Sequence, residues 1–172
     1  MPFTPFHFGP ALLIGLLFFP ILDLPALLVS SVIIDIEPIY LGFQGAPYLH
    51  GFFHSYLGAS ILAVFVALAV YPFRKILNRI LAVFMLPQRS SFIKILAASF
   101  VGAYSHIFLD SFLYSEMQPF YPFEANPFLG VVSSRTVYSF CSVSFLLGLV
   151  LYVYRAVKAQ RRLAGSRPNS GF

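Results

Sequence analysis

The sequence predicts an all-α membrane protein: a polytopic helical bundle of about five membrane helices, the first two forming a short N-terminal hairpin. Two observations carry this. The chain has 172 residues, 59% of them apolar and only 10% charged, where a soluble domain has about 45–50% and about 25%. It also contains three apolar stretches of about 20 residues, the length needed to cross a ~30 Å hydrocarbon core. Mean hydropathy is +0.83. This composition excludes general disorder and argues against a water-soluble globule. The single cysteine excludes an internal disulfide and a CxxC metal site. No Lys or Arg precedes Arg74, so the first apolar stretch lacks a signal peptide's basic leader.

The elements follow in order. Phe8 to Leu22 and Leu24 to Ile34 are apolar but short for spans, with Asp23 and Pro25 between them. Asp23 suits the cap of a helix starting at Leu24, with Pro25 in its first turn. Two readings stay open here. A hairpin turning at Asp23 returns the chain to its starting side; one long kinked helix does not. Clear spans are expected at Ser55–Phe73, Phe92–Phe112 and Val137–Tyr154. The apolar run Ile76–Leu86, with Arg79 embedded, suits a helix lying along the interface. Residues 1–157 form the expected membrane domain, and residues 158–172 a basic disordered tail.

Charge sets the expected orientation. Arg74, Lys75, Arg79, Arg89 and Lys94 lie between the first two clear spans; Arg155, Lys158, Arg161, Arg162 and Arg167 follow the third. Both groups fall on one side, expected to be cytoplasmic, and only Arg135 on the other. The net charge of +5 thus reads as a topology signal, and no nucleic-acid partner is expected.

The same topology gathers Asp35, Glu37, His50, His54, His106, Asp110, Glu116 and Glu124 on the outer side. The hairpin reading adds His7, so that all four histidines and five of six acids share one face. Avoidance of the basic side accounts for Glu116 and Glu124. It does not account for four histidines, or for Asp110 within an apolar helix. His50 and His54 are four apart, as are His106 and Asp110, which is one helical face. An ionisable residue in a membrane helix costs about 2.5–3.5 kcal/mol on insertion scales. Such a pair needs partners, water or a metal. Imidazole and carboxylate are ligands for zinc and similar ions, and carboxylates without nearby cations need a counter-charge. A hydrogen-bonded helix-packing pair and a solvated loop pair are the plainer alternatives; convergence on one face favours the metal. Cys141 reads as packing. Tyr40, Tyr48, Tyr114, Tyr121 and Tyr138 suit an outer aromatic belt, and Tyr71, Tyr152 and Tyr154 an inner one. No Gly-x-Ser-x-Gly or phosphate-binding glycine loop is present.

Several segments resemble the YdjM-like family of predicted membrane-bound metal-dependent hydrolases. They are the opening Met1-Pro2-Phe3-Thr4-Pro5-Phe6-His7, Asp23 to Leu28 running into Ile34-Asp35-Ile36-Glu37-Pro38, His50-Gly51-Phe52-Phe53-His54-Ser55, Ser105-His106 to Asp110, and Tyr121-Pro122-Phe123. The resemblance covers about residues 1–155. It implies a distant similarity to zinc-dependent phospholipase C and P1-type nucleases. Carried over by motif, it implies His7, Asp35, His54, His106 and Asp110 as metal ligands, with His50 less firmly placed. Many relatives carry an Arg and a Thr inside the histidine motif, and this chain has neither there; Arg135 is the candidate substitute.

The resulting expectation is a hydrolase at the outer leaflet holding a divalent metal, zinc above others. Glu37, Glu116 or Glu124 would orient or deprotonate water. Membrane lipid is the expected partner and a lipid-linked phosphoester the expected substrate. The alternative is a non-enzymatic membrane protein using the same residues as a structural metal or helix-packing cluster.

Overall fold

The computed structural model describes residues 4–165, and every regular element among them is helical. A 3-10 turn at Thr4–His7 leads into α1 (Phe8–Leu17). α2 (Leu24–Ile33) and α3 (Ile36–Phe43) follow, then a 3-10 turn at Phe52–His54. Three long helices complete the chain: α4 (Tyr56–Val83), α5 (Phe92–Ser111) and α6 (Ser134–Gly165). Four segments are long and apolar enough to span a membrane: Leu24–Phe43, Tyr56–Val83, Phe92–Ser111 and Ser134–Arg162; α1 is a shorter apolar helix. This is the expected membrane helical bundle.

The N-terminal region is a hairpin. α1 closes where the backbone N–H groups of Ile21 and Leu22 both donate to the Phe18 carbonyl at 2.9 Å. Asp23 then caps α2, accepting from the Ala26 N–H at 3.0 Å, with Pro25 in the first turn. That turn is clamped from the loop between α4 and α5. Gln88 accepts from the Leu24 N–H at 3.1 Å and donates to the Phe19 carbonyl at 2.8 Å. Ser90 donates to the second Asp23 oxygen. These bonds satisfy backbone groups that a buried turn would otherwise strand. The hairpin carries His7 and Asp35 to the same end of the bundle.

Small residues let the helices close on one another. Gly102 of α5 sits against the Leu27 carbonyl of α2, and Gly9 of α1 against the Cys141 carbonyl of α6. Cys141 is buried in that contact, the packing role expected for it. Ala26, Leu27, Ala67, Ile95 and Ala98 fill one core layer; Ile34, Ala59, Ala63, Ala103 and Ile107 fill another, nearer the histidines. Phe140, Val143, Leu146 and Val150 face outward along α6, the surface a lipid phase would solvate.

Two helices run past their expected ends. α4 does not stop at Phe73: it continues through Pro72 to Val83, so residues 76–83 extend the span instead of forming a separate interfacial helix. Arg74 folds back, donating to the Tyr71 carbonyl at 2.9 Å with its guanidinium 4.0 Å from the Tyr71 ring centre. α6 continues past Tyr154 to Gly165, so residues 158–165, expected in the tail, are helical. Lys158, Ala159, Gln160, Arg161 and Arg162 are all good helix formers, and cations suit a helix C-terminus. The rest of the expected tail, 166–172, and Met1 to Phe3 of the opening motif lie outside the described residues.

Candidate metal centre

Four expected ligands converge where the end of α2, the turn Phe52–His54 and α5 meet. One donor atom from each of Asp35, His54, His106 and Asp110 lies within 4.8 Å of the others, and all four residues are buried. Each is placed by local structure. His106 and Asp110 lie one turn apart on the face of α5 that α2 covers. Asp35 sits at the break between α2 and α3. His54 ends its 3-10 turn beside Ser55, whose hydroxyl donates to the Phe52 carbonyl at 2.7 Å and caps α4 by accepting from the Gly58 N–H at 3.0 Å. The Tyr56 N–H donates to the Pro119 carbonyl at 2.8 Å, tying the following loop over the centre.

Outer hydrogen bonds decide which imidazole nitrogens face inward. His106 Nδ1 lies 2.7 Å from the Ser31 carbonyl. A carbonyl only accepts, so Nδ1 carries the proton and donates. His54 Nδ1 lies 2.8 Å from Glu37 Oε2, and the same assignment follows. Both Nε2 atoms then turn lone pairs on the centre, where His106 Nε2 is 3.2 Å from Asp110 Oδ2 and 3.6 Å from Asp35 Oδ1. His54 Nε2, His106 Nε2, Asp35 Oδ2 and Asp110 Oδ1 are buried without any hydrogen-bond partner. Burying even one such group is costly. Four buried residues, each with such an atom and with donor atoms within 4.8 Å of one another, suit a shared cation. Two neutral imidazoles and two carboxylates sum to −2, which one divalent ion cancels. The residues present therefore fit a metal, in the pattern of histidines oriented by outer carboxylate or carbonyl partners. Burial pushes the pKa of His54 below its usual value, and the Glu37 bond opposes that only in part; a neutral ring is the ligating form.

The remaining expected residues divide. His7 stacks on His106, ring centres 3.9 Å apart and planes at 22°, with Nε2 3.2 Å from Asp110 Oδ1. It touches the centre but lies outside the four-atom group. His50 does not join. It precedes the 3-10 turn, so the expected shared helical face with His54 does not form. The two rings meet edge to face at 4.7 Å. His50 Nδ1 instead pairs with Glu116 at 2.7 Å, and its ring stacks on Tyr114 at 3.9 Å. Partial burial opposes it, but the His50 bond holds the Glu116 carboxyl below its usual range.

Glu37, expected to orient or deprotonate water, binds the outer nitrogen of His54. Its carboxylate accepts from the N–H groups of Gly51, Phe53 and His54 at 3.1–3.2 Å as well as from His54 Nδ1. It therefore lies behind His54, away from the centre. Glu116 and Glu124 line a cavity of about 770 Å³ next to the centre, with His50, Tyr48, Phe52 and Tyr121. Among the described residues, no Lys or Arg lines it. Arg135 is exposed in the first turn of α6 and does not replace the absent motif arginine there. Ser31, not singled out in the sequence, orients His106, and Tyr114, read there only as part of the outer aromatic belt, stacks on His50. Ser31 acts through its backbone carbonyl, which leaves no side-chain signal.

Fold and centre together define an integral membrane protein with a buried histidine–carboxylate group able to hold a metal ion. The chain matches the family model described as YdjM inner membrane protein over residues 3–165, and it belongs to that family. Comparison with curated proteins and with solved structures finds no match.

Proposed function

We propose that this protein is a membrane-embedded, metal-dependent hydrolase, with a phosphoester or other lipid-linked compound as substrate. The observation that carries the reading is four buried residues with donor atoms within 4.8 Å of one another, each holding an unpartnered polar atom, beside a polar cavity. Asp35, His54, His106 and Asp110 would hold the ion, and His7 supports Asp110. Zinc, or another divalent ion, would polarise a phosphoryl or acyl oxygen and lower the pKa of water. The chain's own part is to fix two imidazole tautomers through Glu37 and Ser31, and to keep the centre dry. Glu116, paired with His50 at the cavity wall, is the acid best placed to receive a proton from the cavity. The phosphoester class is what the family resemblance of the motifs implies, through a distant similarity to phospholipase C and P1-type nucleases. The site is proposed to face the outer side, following the distribution of Lys and Arg.

A structural centre is the second reading. Four protein ligands can fill a tetrahedral shell, and a closed shell marks a structural site. Elemental mass spectrometry of the detergent-purified protein is the first test, wild type beside Asp110→Asn and His54→Ala. Stoichiometric metal lost in both variants establishes the centre. Hydrolysis of phosphoester lipids by the wild type, absent in both variants, then separates catalysis from structure. A folded wild type that neither contains nor takes up metal sinks both readings and leaves a polar packing cluster.

A further inference from the structure

The opposite end of the bundle carries a second constellation. α1 and α6 run side by side: Gly9 meets Cys141, Gly148 meets Leu12, and the Arg155 guanidinium lies 5.1 Å from the Phe19 ring centre. This places Arg155 a helix length from His7. Arg155, Lys158, Ala159 and Arg162 fall at helical spacings of three and four, hence on one face of α6. That face lines a cavity of about 700 Å³ whose other wall is apolar, built from Phe19, Ala82 at the end of α4, and Met85 and Leu86 just beyond it. Among the described residues, the Arg155 Nε is buried with no hydrogen-bond partner. Among the described residues, no carboxylate lies within salt-bridge distance of these three cations. Asp23, the acid at this end, is occupied by the Ala26 N–H and the Ser90 hydroxyl.

We propose that this cavity binds one anionic phospholipid, its phosphodiester held by Arg155, Lys158 and Arg162 and its chains against the Phe19–Leu86 wall. A positive-inside bias requires basic residues near the membrane end of a helix. It does not require three of them to converge on an apolar cavity, or one to bury an unpartnered N–H. Guanidinium and ammonium groups without protein carboxylates match a phosphate, since Arg binds phosphate oxygens through its N–H fork. Basic cavities between helices at the membrane surface are recurrent sites for acidic headgroups. The apolar wall selects a lipid over a free anion. The site has a consequence for the fold: α6 packs chiefly on α1, and a lipid seated here joins its basic half to the end of α4.

The test uses the full chain, delipidated in a neutral detergent, with native mass spectrometry and thermal unfolding as readouts. Phosphatidylglycerol, phosphatidylcholine and inorganic phosphate are added separately at equal concentration. Expected is one retained phosphatidylglycerol, bound about tenfold or more in preference to phosphatidylcholine, with a rise in Tm as ligand linkage requires. Arg155→Gln/Lys158→Gln should abolish the preference. Lys158→Gln alone, at an exposed position that leaves folding intact, should weaken it, and Arg135→Gln at the far end should leave it unchanged. Equal retention of phosphatidylcholine, or a preference surviving both variants, overturns the proposal. An equal Tm rise with inorganic phosphate alone overturns the lipid in favour of a free anion.

Discussion

His106 donates its Nδ1–H to the Ser31 carbonyl at 2.7 Å, and this bond between α5 and α2 aims the other ring nitrogen at Asp110 and Asp35. A backbone oxygen therefore sets the ligand character of a side chain 75 residues away.

Replacing Asp110 by Asn keeps its shape and removes one charge from the centre. The amide then faces the His106 Nε2 lone pair with half its ligand capacity. Metal affinity should fall by more than the 10–100-fold that loss of an outer-shell partner costs. Chelator competition on the purified protein measures it, and unchanged affinity would remove Asp110 from the ligand set.

Glu37→Gln tests the orienting role. The amide cannot accept four donors as the carboxylate does. Metal affinity should drop about 10–100-fold while the protein stays folded. If Glu37 were instead the catalytic base, turnover would collapse at unchanged metal content.

Gly102→Ala should weaken both fold and centre. A Cβ there meets the Leu27 carbonyl and lies 3.1 Å from the Ser31 nitrogen. α2 must move away from α5, at about 1–3 kcal/mol for overpacking. The shift carries Ser31 off His106. Lower Tm together with reduced metal retention is the expected pair; a lower Tm at full metal retention would uncouple them.

Acid should destabilise the protein through His54. Burial lowers its folded pKa, so the unfolded chain binds the proton more readily in the window below about 6.5. Stability is fully present above that value and falls as pH drops from there toward the lowered folded pKa. Glu116, also lowered, acts with the same sign at lower pH. Thermal unfolding across this range should show Tm falling on acidification, with the fall below pH 6.5 reduced in His54→Gln.

Gln88→Ala should loosen the N-terminal hairpin. It strands the Leu24 N–H and the Phe19 carbonyl, costing about 1–3 kcal/mol for a buried group left unpaired. Faster proteolysis at residues 18–23, before global unfolding, is the signature to look for.

Much of this was legible from residue order. The Asp23 cap and Pro25 in the first turn are local signals, and both operate as read. The start of α5 at Phe92 is the expected one, and the structure adds Ser91 as its cap. The ends of α4 and α6 were not legible, because a membrane-thickness rule marks where the apolar run stops, not where hydrogen bonding stops. Residues 76–83 and 158–165 are amphipathic or basic, and remain good helix formers. At the site, spacing four correctly paired His106 with Asp110, since both lie on regular α5. The same spacing misled for His50 and His54, because a 3-10 turn begins between them.

The sequence by itself determined the membrane class, the helical bundle and the set of ionisable residues at one end. Hydropathy and charge act residue by residue, so order alone reveals them. Tertiary structure decided which of those residues meet. It chose the hairpin over the kinked helix, bringing His7 to Asp110. It set Glu37 behind His54 as its orienting partner, and it turned His50 toward Glu116. Those choices depend on contacts between segments distant in the chain, above all the Gly102 approach of α5 to α2, and no local periodicity encodes them.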